Sequence, residues 1–209
     1  MEIEEYIAHH IDEEGEYLHR LYRATQTQLL YGRMASGHVQ GRLLKMFVEM
    51  IRPTNILEIG TYSGYSALCM AEGLQDGGMV HTIEIFDELE DFTRPWIENS
   101  PWADRVKFYI GDAMKIVPQL NLKFDMAFID GNKREYVNYY EMVIQHMNHG
   151  GFILADNTLW DGHVLEQPAE HDEQTKGIMA FNDFVAKDER VEKVIVPVRD
   201  GISIIKMKS

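Results

Sequence analysis

The feature that most restricts the fold is an alternation. Five short runs rich in Ile, Val and Phe, namely NILEI (55–59), MVHTIEI (79–85), RVKFYI (105–110), FDMAFID (124–130) and GFILAD (151–156), are separated by stretches long enough for helices. Strands that alternate with helices in this way predict crossover units and a parallel sheet. The pattern changes at the end. VEKVIVPV (191–198) and ISIIKMK (202–208) flank Arg199, Asp200 and Gly201. Asp-Gly between two strand-like runs predicts a hairpin. The expectation is an α/β fold of five parallel strands closed by an antiparallel pair, with helices on both faces.

Two helices precede the first strand. One is expected over residues 3–22, through Ile3, Tyr6, Ile7, Ile11, Leu18, Leu21 and Tyr22, with Gly15 as a weak point. A second over 38–51 uses Val39, Leu43, Phe47 and Met50 and stops before Pro53. We expect one domain over 1–209, with these helices as a cap at about 1–50 lying over one end of the sheet. A chain of 209 residues is long enough for one sizeable core.

EIGTYSGYSA (58–67) follows the first strand and opens a helix ending near Gly73. Open parallel sheets bind ligands beyond the carboxyl ends of their strands. Gly60 and Gly64 permit a tight turn and close approach of a ligand, and Ser63 or Ser66 can cap the helix or touch that ligand. No Gly-Lys-Ser/Thr follows, so a nucleoside-triphosphate loop is not expected, and the G-x-x-x-G spacing is not the dinucleotide fingerprint. Glu84, at the end of the second strand, sits where a nucleotide fold places a carboxylate on ribose hydroxyls. Glu58, Gly60, Gly64, Ser66 and Glu84 together point to a nucleoside-bearing ligand without a pyrophosphate.

Two more strand ends carry polar groups. FDMAFID stops at Asp130, and FILADN stops at Asp156–Asn157. If these strands are neighbours, two carboxylates and an amide carbonyl converge on one crevice. Hard oxygen donors suit Mg²⁺, Mn²⁺ or Ca²⁺ rather than zinc. Lys133 follows Asp130 in DGNK. A dication nearby disfavours an ammonium, which makes Lys133 a candidate general base.

With ILEIGTYSGYSAL, the acid of HTIEI, the GDA turn at 111–113, IDGNKREYVNYY and ADNTLWDGHV in view, the sequence resembles the cation-dependent O-methyltransferases of the catechol and caffeoyl-CoA type, which use S-adenosylmethionine (SAM). The DN-x-LW-x-G form is most similar to the bacterial branch. The resemblance implies a Rossmann-like, doubly wound, seven-stranded sheet and transfer of a methyl group to a hydroxyl of a catechol-like vicinal diol. It implies SAM over Gly60–Gly64, with Glu84 on the ribose and Ser36 and Ser66 on the methionine carboxylate. Glu58 and Asp130 would line the same pocket, and Asp112–Ala113 would meet the adenine. It further implies Asp130, Asp156 and Asn157 as ligands of Mg²⁺ (or Mn²⁺ or Ca²⁺), and Lys133 as the base, acting beside Asp130. Animal catechol enzymes carry a glutamate on the terminal hairpin; here the hairpin reads RDGIS.

Composition narrows the partners. The net charge of −14 weighs against broad nucleic-acid binding, since a phosphate backbone calls for a Lys/Arg footprint. A hydroxylated tRNA wobble uridine stays open as an acceptor through Arg20, Arg23, Arg33 and Arg42. A nicotinamide-dependent oxidoreductase and a non-catalytic binding module stay open too. The start, MEIEEYIAHH, lacks a basic region followed by an apolar one, and there is one cysteine, Cys69. Neither a secretory signal nor a membrane span is expected, and a reducing cytoplasm is. The apolar stripe of the first helix makes a homodimer the expected assembly. The scattered His9, His10, His146, His149, His163 and His171 lack ligand spacing. By the resemblance Met34 matches a position near the reacting methyl, with loop packing as the alternative, and Trp160 is either a wall of the acceptor pocket or a loop anchor.

Overall fold

The computed structural model describes residues 3–208, with the side chain of Glu4 left out. Residues 1, 2 and 209 of the expected domain lie outside it. The alternating runs fold as β1 (Asn55–Ile59), β2 (Met79–Glu84), β3 (Val106–Ile110), β4 (Phe124–Ile129), β5 (Met147–Ala155), β6 (Val191–Val196) and β7 (Ile202–Met207). They form one seven-stranded sheet in the order β3-β2-β1-β4-β5-β7-β6. β1 to β5 pair in parallel, while β7 runs antiparallel to both β5 and β6.

Helices α1 (Ile3–Ala8), α2 (Gly15–Gln28), α3 (Gly37–Ile51), α4 (Tyr65–Gly73), α5 (Glu90–Glu98), α6 (Ala113–Leu120), α7 (Tyr136–His146) and α8 (Glu173–Lys187) surround the sheet. The two-residue period of a strand sends neighbouring side chains to opposite faces. Leu57, Ala127, Ile129, Ile153 and Ala155 pack on one side with α6, α7 and α8. Ile56, Met126, Phe128 and Leu154 pack on the other with α2, α3, α4 and α5. The inner strands are therefore covered on both faces, which is why they read as nearly unbroken apolar runs.

Two expectations change. The helix expected over 3–22 is two, because the chain leaves helical geometry between Ala8 and Gly15, and Gly15 has φ +79°. The stripe divides with it: Leu18 and Leu21 are buried, whereas Ile3, Tyr6 and Ile7 are exposed. α2 and α3 pack in the same core as α4, and the start of α3 brings Ser36 and Gln40 to the strand ends. Finally, α3 is turned. The expected stripe ran through Val39, Leu43, Phe47 and Met50, yet Gln40, Gly41, Arg42, Leu44 and Val48 are the residues buried and Met50 is exposed. Gly41 explains the rotation. A Cβ there would stand 2.8 Å from Cys69 Sγ, so α4 packs directly against the α3 backbone and turns Gln40 inward.

Among the described residues, no helix is long and apolar enough to cross a membrane.

Candidate active site

The strand order places the carboxyl ends of β2, β1, β4 and β5 in a row. One backbone bond extends each of the last three ends by a residue. Gly60 N–H donates to Ile83 O at 2.9 Å, Asp130 N–H to Ile59 O at 2.9 Å, and Asp156 N–H to Ile129 O at 3.0 Å. Gly60, Asp130 and Asp156 thus stand side by side. Gly60 has to be glycine here. Its φ is +101°, and a Cβ would stand 2.3 Å from the Asp130 carbonyl oxygen. A small cleft opens above this row, lined by Ser36, Gly60, Ser63, Tyr65, Ser66 and Asp130 among others. Gly64 has φ +82° and lies against Ile97 and Thr93 of α5, so its lack of a side chain serves packing there.

Glu58 is fully buried beneath the cleft. Thr82 Oγ1 donates to its Oε2, and its Oε1 has no hydrogen-bond partner. Burial pushes this carboxyl up to about 8. The Ser66 and Thr82 hydroxyls partly offset that rise, and Asp130 and Glu84 add to it. Glu84, at the end of β2, has a fixed carboxylate: Oε2 accepts from Tyr62 N–H at 2.8 Å and Oε1 from Phe86 N–H at 3.0 Å. Asp112 lies just past the end of β3 and caps α6, accepting from Met114 N–H at 2.9 Å. Ala113 follows it, buried in the first turn.

The second cluster is built on β4, β5 and the turn before α7. Lys133 is 8% exposed, and its Nζ donates to Asp130 Oδ1 at 2.8 Å and to Tyr136 Oη at 2.7 Å. Tyr136 Oη reaches the carbonyls of Ile129 at 3.2 Å and Asp156 at 3.1 Å. Burial, reinforced by Asp130 and Asp156, holds this phenol far above its usual range, so it keeps its proton and donates to those carbonyls. Asp156 is buried. Burial and the nearby Asp130 carboxylate raise its proton affinity, while Lys133 lowers it. The turn after Asp130 is capped by Asn132, whose Oδ1 accepts from Arg134 N–H at 3.3 Å. Asp130 therefore does not cap that helical turn.

Several residues of the site were not singled out from sequence. Gln40 donates from Nε2 to Asp156 Oδ2 at 2.8 Å. Arg199 and Asp200, in the turn between β6 and β7, reach Gln40 and Asn157. Tyr136 stood in the sequence only as part of the motif IDGNKREYVNYY. Gln40 had one readable signal, the glycine beside it. The hairpin residues had none, because their role depends on β7 lying next to β5. Trp160 and Asp161 both take left-handed φ, 48° and 51°, just beyond the cluster. Met34 is exposed on the cleft wall.

Among the described residues, no three His, Cys, Asp or Glu side chains form a metal-binding group. Past the ends of β4 and β5 stand two carboxylates and an amide, those of Asp130, Asp156 and Asn157.

A sequence model of a family described as O-methyltransferase matches residues 8–208. Tricin synthase 2 of Oryza sativa subsp. japonica is 36% identical over 202 residues, covering 91% of this chain and 69% of that protein. A caffeoyl-CoA O-methyltransferase of Stellaria longipes is 30% identical over 200 residues, covering 91% and 83%. The solved structure of the O-methyltransferase TomG from Streptomyces achromogenes, in complex with SAM, superposes with a TM-score of 0.89 at 25% identity, covering 98% of this chain and 95% of that one.

Proposed function

The chain belongs to this O-methyltransferase family, and on that premise we propose that it transfers the methyl group of SAM to one hydroxyl of a catechol-like vicinal diol, with a divalent cation held by Asp130, Asp156 and Asn157. The observation that carries the proposal is the pair of carboxylates at adjacent strand ends, one of them buried, with a buried lysine against them.

The residues fit SAM. SAM has a sulfonium and no phosphate, which matches a glycine cradle without a phosphate-binding lysine. The space at Gly60 is one that a Cβ would close. Glu58 Oε1 is a buried polar atom with no partner. Glu84 presents fixed carboxylate lone pairs suited to a ribose diol. The residues also fit a hard cation. Asp130 adds to the electrostatic cost of the buried Asp156 carboxylate, which a dication held beside them would relieve. Asn157 uses its Nδ2 on Asp200 at 3.3 Å, leaving the amide carbonyl available. Three oxygens of this kind leave positions open for substrate in an octahedral shell.

When bound, the dication supplies Lewis acidity that makes vicinal hydroxyls easier to deprotonate and fixes their orientation. The chain does the rest. Lys133 takes the acceptor's proton at Nζ, which Asp130 and Tyr136 hold in place through two of its three hydrogen-bonding positions. Gly60, Ser36 and Ser66 hold the cofactor beside Asp130. Holding acceptor and methyl donor in line can supply up to ~7–11 kcal/mol of the barrier reduction. The exposed Met34 lines the cleft, whereas the half-buried Trp160 packs against the core shared with α6, α7 and α8.

Of the basic residues left open for an RNA acceptor, Arg20, Arg23 and Arg33 are not buried, whereas Arg42 cannot serve. Arg42 is buried and paired with Glu72 at 2.6 Å. A methyl-transfer screen over simple catechols, acyl-CoA esters of catechols and tRNA, each with Mg²⁺ and with excess chelator, tests the proposal. We expect transfer to a catechol, lost with chelator and restored by added Mg²⁺. Chelator-insensitive transfer, or transfer to tRNA alone, would overturn it.

A further inference from the structure

Two side-chain amides belong to the proposed cation site, Asn157 as a ligand and Gln40 as the partner of Asp156, and sterically each can face either way. An amide has a donor end and an acceptor end, so its useful orientation must be set by neighbours of fixed polarity. Both neighbours come from one place, the turn between β6 and β7. Arg199 is only a donor. Its Nη1 is bonded to the carbonyl of Ser36, to that of Ala35 at 3.2 Å, and to Gln40 Oε1 at 3.3 Å. With Oε1 committed to Arg199, Gln40 turns Nε2 to Asp156 Oδ2 at 2.8 Å. The reverse orientation would set carbonyl against carboxylate and amide N–H against guanidinium. Asp200, when ionised, is only an acceptor. It takes the Nδ2 of Asn157 at 3.3 Å, which leaves Oδ1 as the outward end of that amide.

The turn is locked to the ligand loop as well. Thr158 N–H donates to Gly201 O at 3.0 Å, and Leu159 N–H to Asp200 O at 2.7 Å. Gly201 allows this contact, since a Cβ there would stand 2.8 Å from Leu159 N. Asp156 Oδ1 accepts from Asn157 N–H at 2.9 Å, so with Gln40 on Oδ2 each oxygen keeps a lone pair and the carboxylate has one orientation.

We propose that Arg199 and Asp200 are positioning residues that set the polarity of Gln40 and Asn157, so that Gln40 fixes Asp156 and Asn157 presents its carbonyl oxygen to the dication. The proposal rests on the cation site described above. Partners of this kind, one bond beyond the ligands, typically change metal affinity about 10–100-fold.

The test is Mn²⁺ affinity, read from the free-ion electron paramagnetic resonance signal, alongside SAM affinity by calorimetry. Asp200→Ala is expected to weaken Mn²⁺ binding about 10-fold and to leave SAM binding unchanged. In an Asn157→Ala background, the same substitution should cost less than about 2-fold, because its route is already cut. Gln40→Met should weaken Mn²⁺ binding through Asp156. Asp200→Asn keeps the turn's shape and an acceptor while removing the fixed polarity, so an intermediate affinity is expected even if Asp200→Ala does not fold. Equal costs of Asp200→Ala with and without Asn157 would overturn the proposal, as would wild-type Mn²⁺ affinity in both Asp200 variants. Asp156→Ala separates the two levels. If it keeps wild-type Mn²⁺ affinity, the cation site itself is wrong. If it loses Mn²⁺ while the Asp200 and Gln40 variants keep it, only the positioning role fails.

Discussion

Asp156→Ala is expected to lower metal-dependent kcat/KM by roughly 10³-fold or more while SAM binds as before, taking the cation's share of the barrier as about 4 kcal/mol. Asp156 is the buried carboxylate of the pair, at the end of β5 beside Asp130 at the end of β4. Removing it leaves Asp130 with Lys133, which is already 2.8 Å away. A site that attracts a dication becomes a closed ion pair. The cofactor cleft is lined by Ser36, Gly60, Ser66 and Asp130 and does not include Asp156. Affinity for SAM, measured by calorimetry, should therefore be unchanged within about 2-fold. Asp156→Asn is the companion variant. It keeps the size of the side chain and removes the charge, so a loss of similar order assigns the effect to charge and not to a cavity. Wild-type turnover of either variant in excess chelator would contradict the mechanism.

Lys133→Gln has the second large effect, a fall in kcat of roughly 10²–10⁴-fold, the usual range for a positioned general base. Loss of rate alone would not identify a base. Acceptor acidity does. A diol made more acidic by electron-withdrawing substituents gives up its proton with less help, so the defect of Lys133→Gln should shrink along a series of increasingly acidic catechols. The wild-type enzyme should show a weaker dependence over the same series. Tyr136 provides the control for position. Tyr136→Phe removes the hydroxyl that accepts from Nζ at 2.7 Å and keeps the ring beneath the ammonium, 4.8 Å from its centroid. It should cost less than Lys133→Gln and show no such trend with acidity. A Lys133→Gln defect of constant size across the series would mean that Lys133 holds the site together without moving the proton.

Most of the sheet was legible because its inner strands are buried on both faces, and such strands announce themselves as short β-branched and aromatic runs. The lengths of β1, β2 and β4 follow those runs closely. β5 does not. It begins at Met147, ahead of a Gly150–Gly151 pair that reads as a break. Those glycines sit in an irregular part of the β4–β5 pairing between Phe124 and Met126, where Gly150 takes φ +75° and a Cβ at Gly151 would stand 3.0 Å from Asp125 O. A glycine pair inside a strand and one outside look alike in sequence.

The carboxylates of the candidate site were legible for a related reason. Asp130 and Asp156 each stand one residue past a strand, Glu84 ends one, and parallel strands put their carboxyl ends on one edge. Gln40 was not, because a glutamine among Val39, Leu43 and Phe47 reads as the solvent side of an amphipathic helix. Only the close approach of α4 at Gly41 turns it inward. Arg199 and Asp200 looked like turn chemistry, and they are that too: Arg199 takes φ 50° and Gly201 φ 86°. Their contacts with Gln40 and Asn157 span sequence separations of 159 and 43 residues and follow from β7 inserting between β5 and β6. No local pattern encodes that insertion.

Anomalous diffraction from crystals grown with SAM and Mn²⁺ tests the central claim most directly. The account predicts one strong manganese peak beyond the ends of β4 and β5, coordinated by oxygens of Asp130, Asp156 and Asn157, with Lys133 close by but not bound to it. A manganese peak held elsewhere, or no peak with those three side chains turned away from one another, would contradict it.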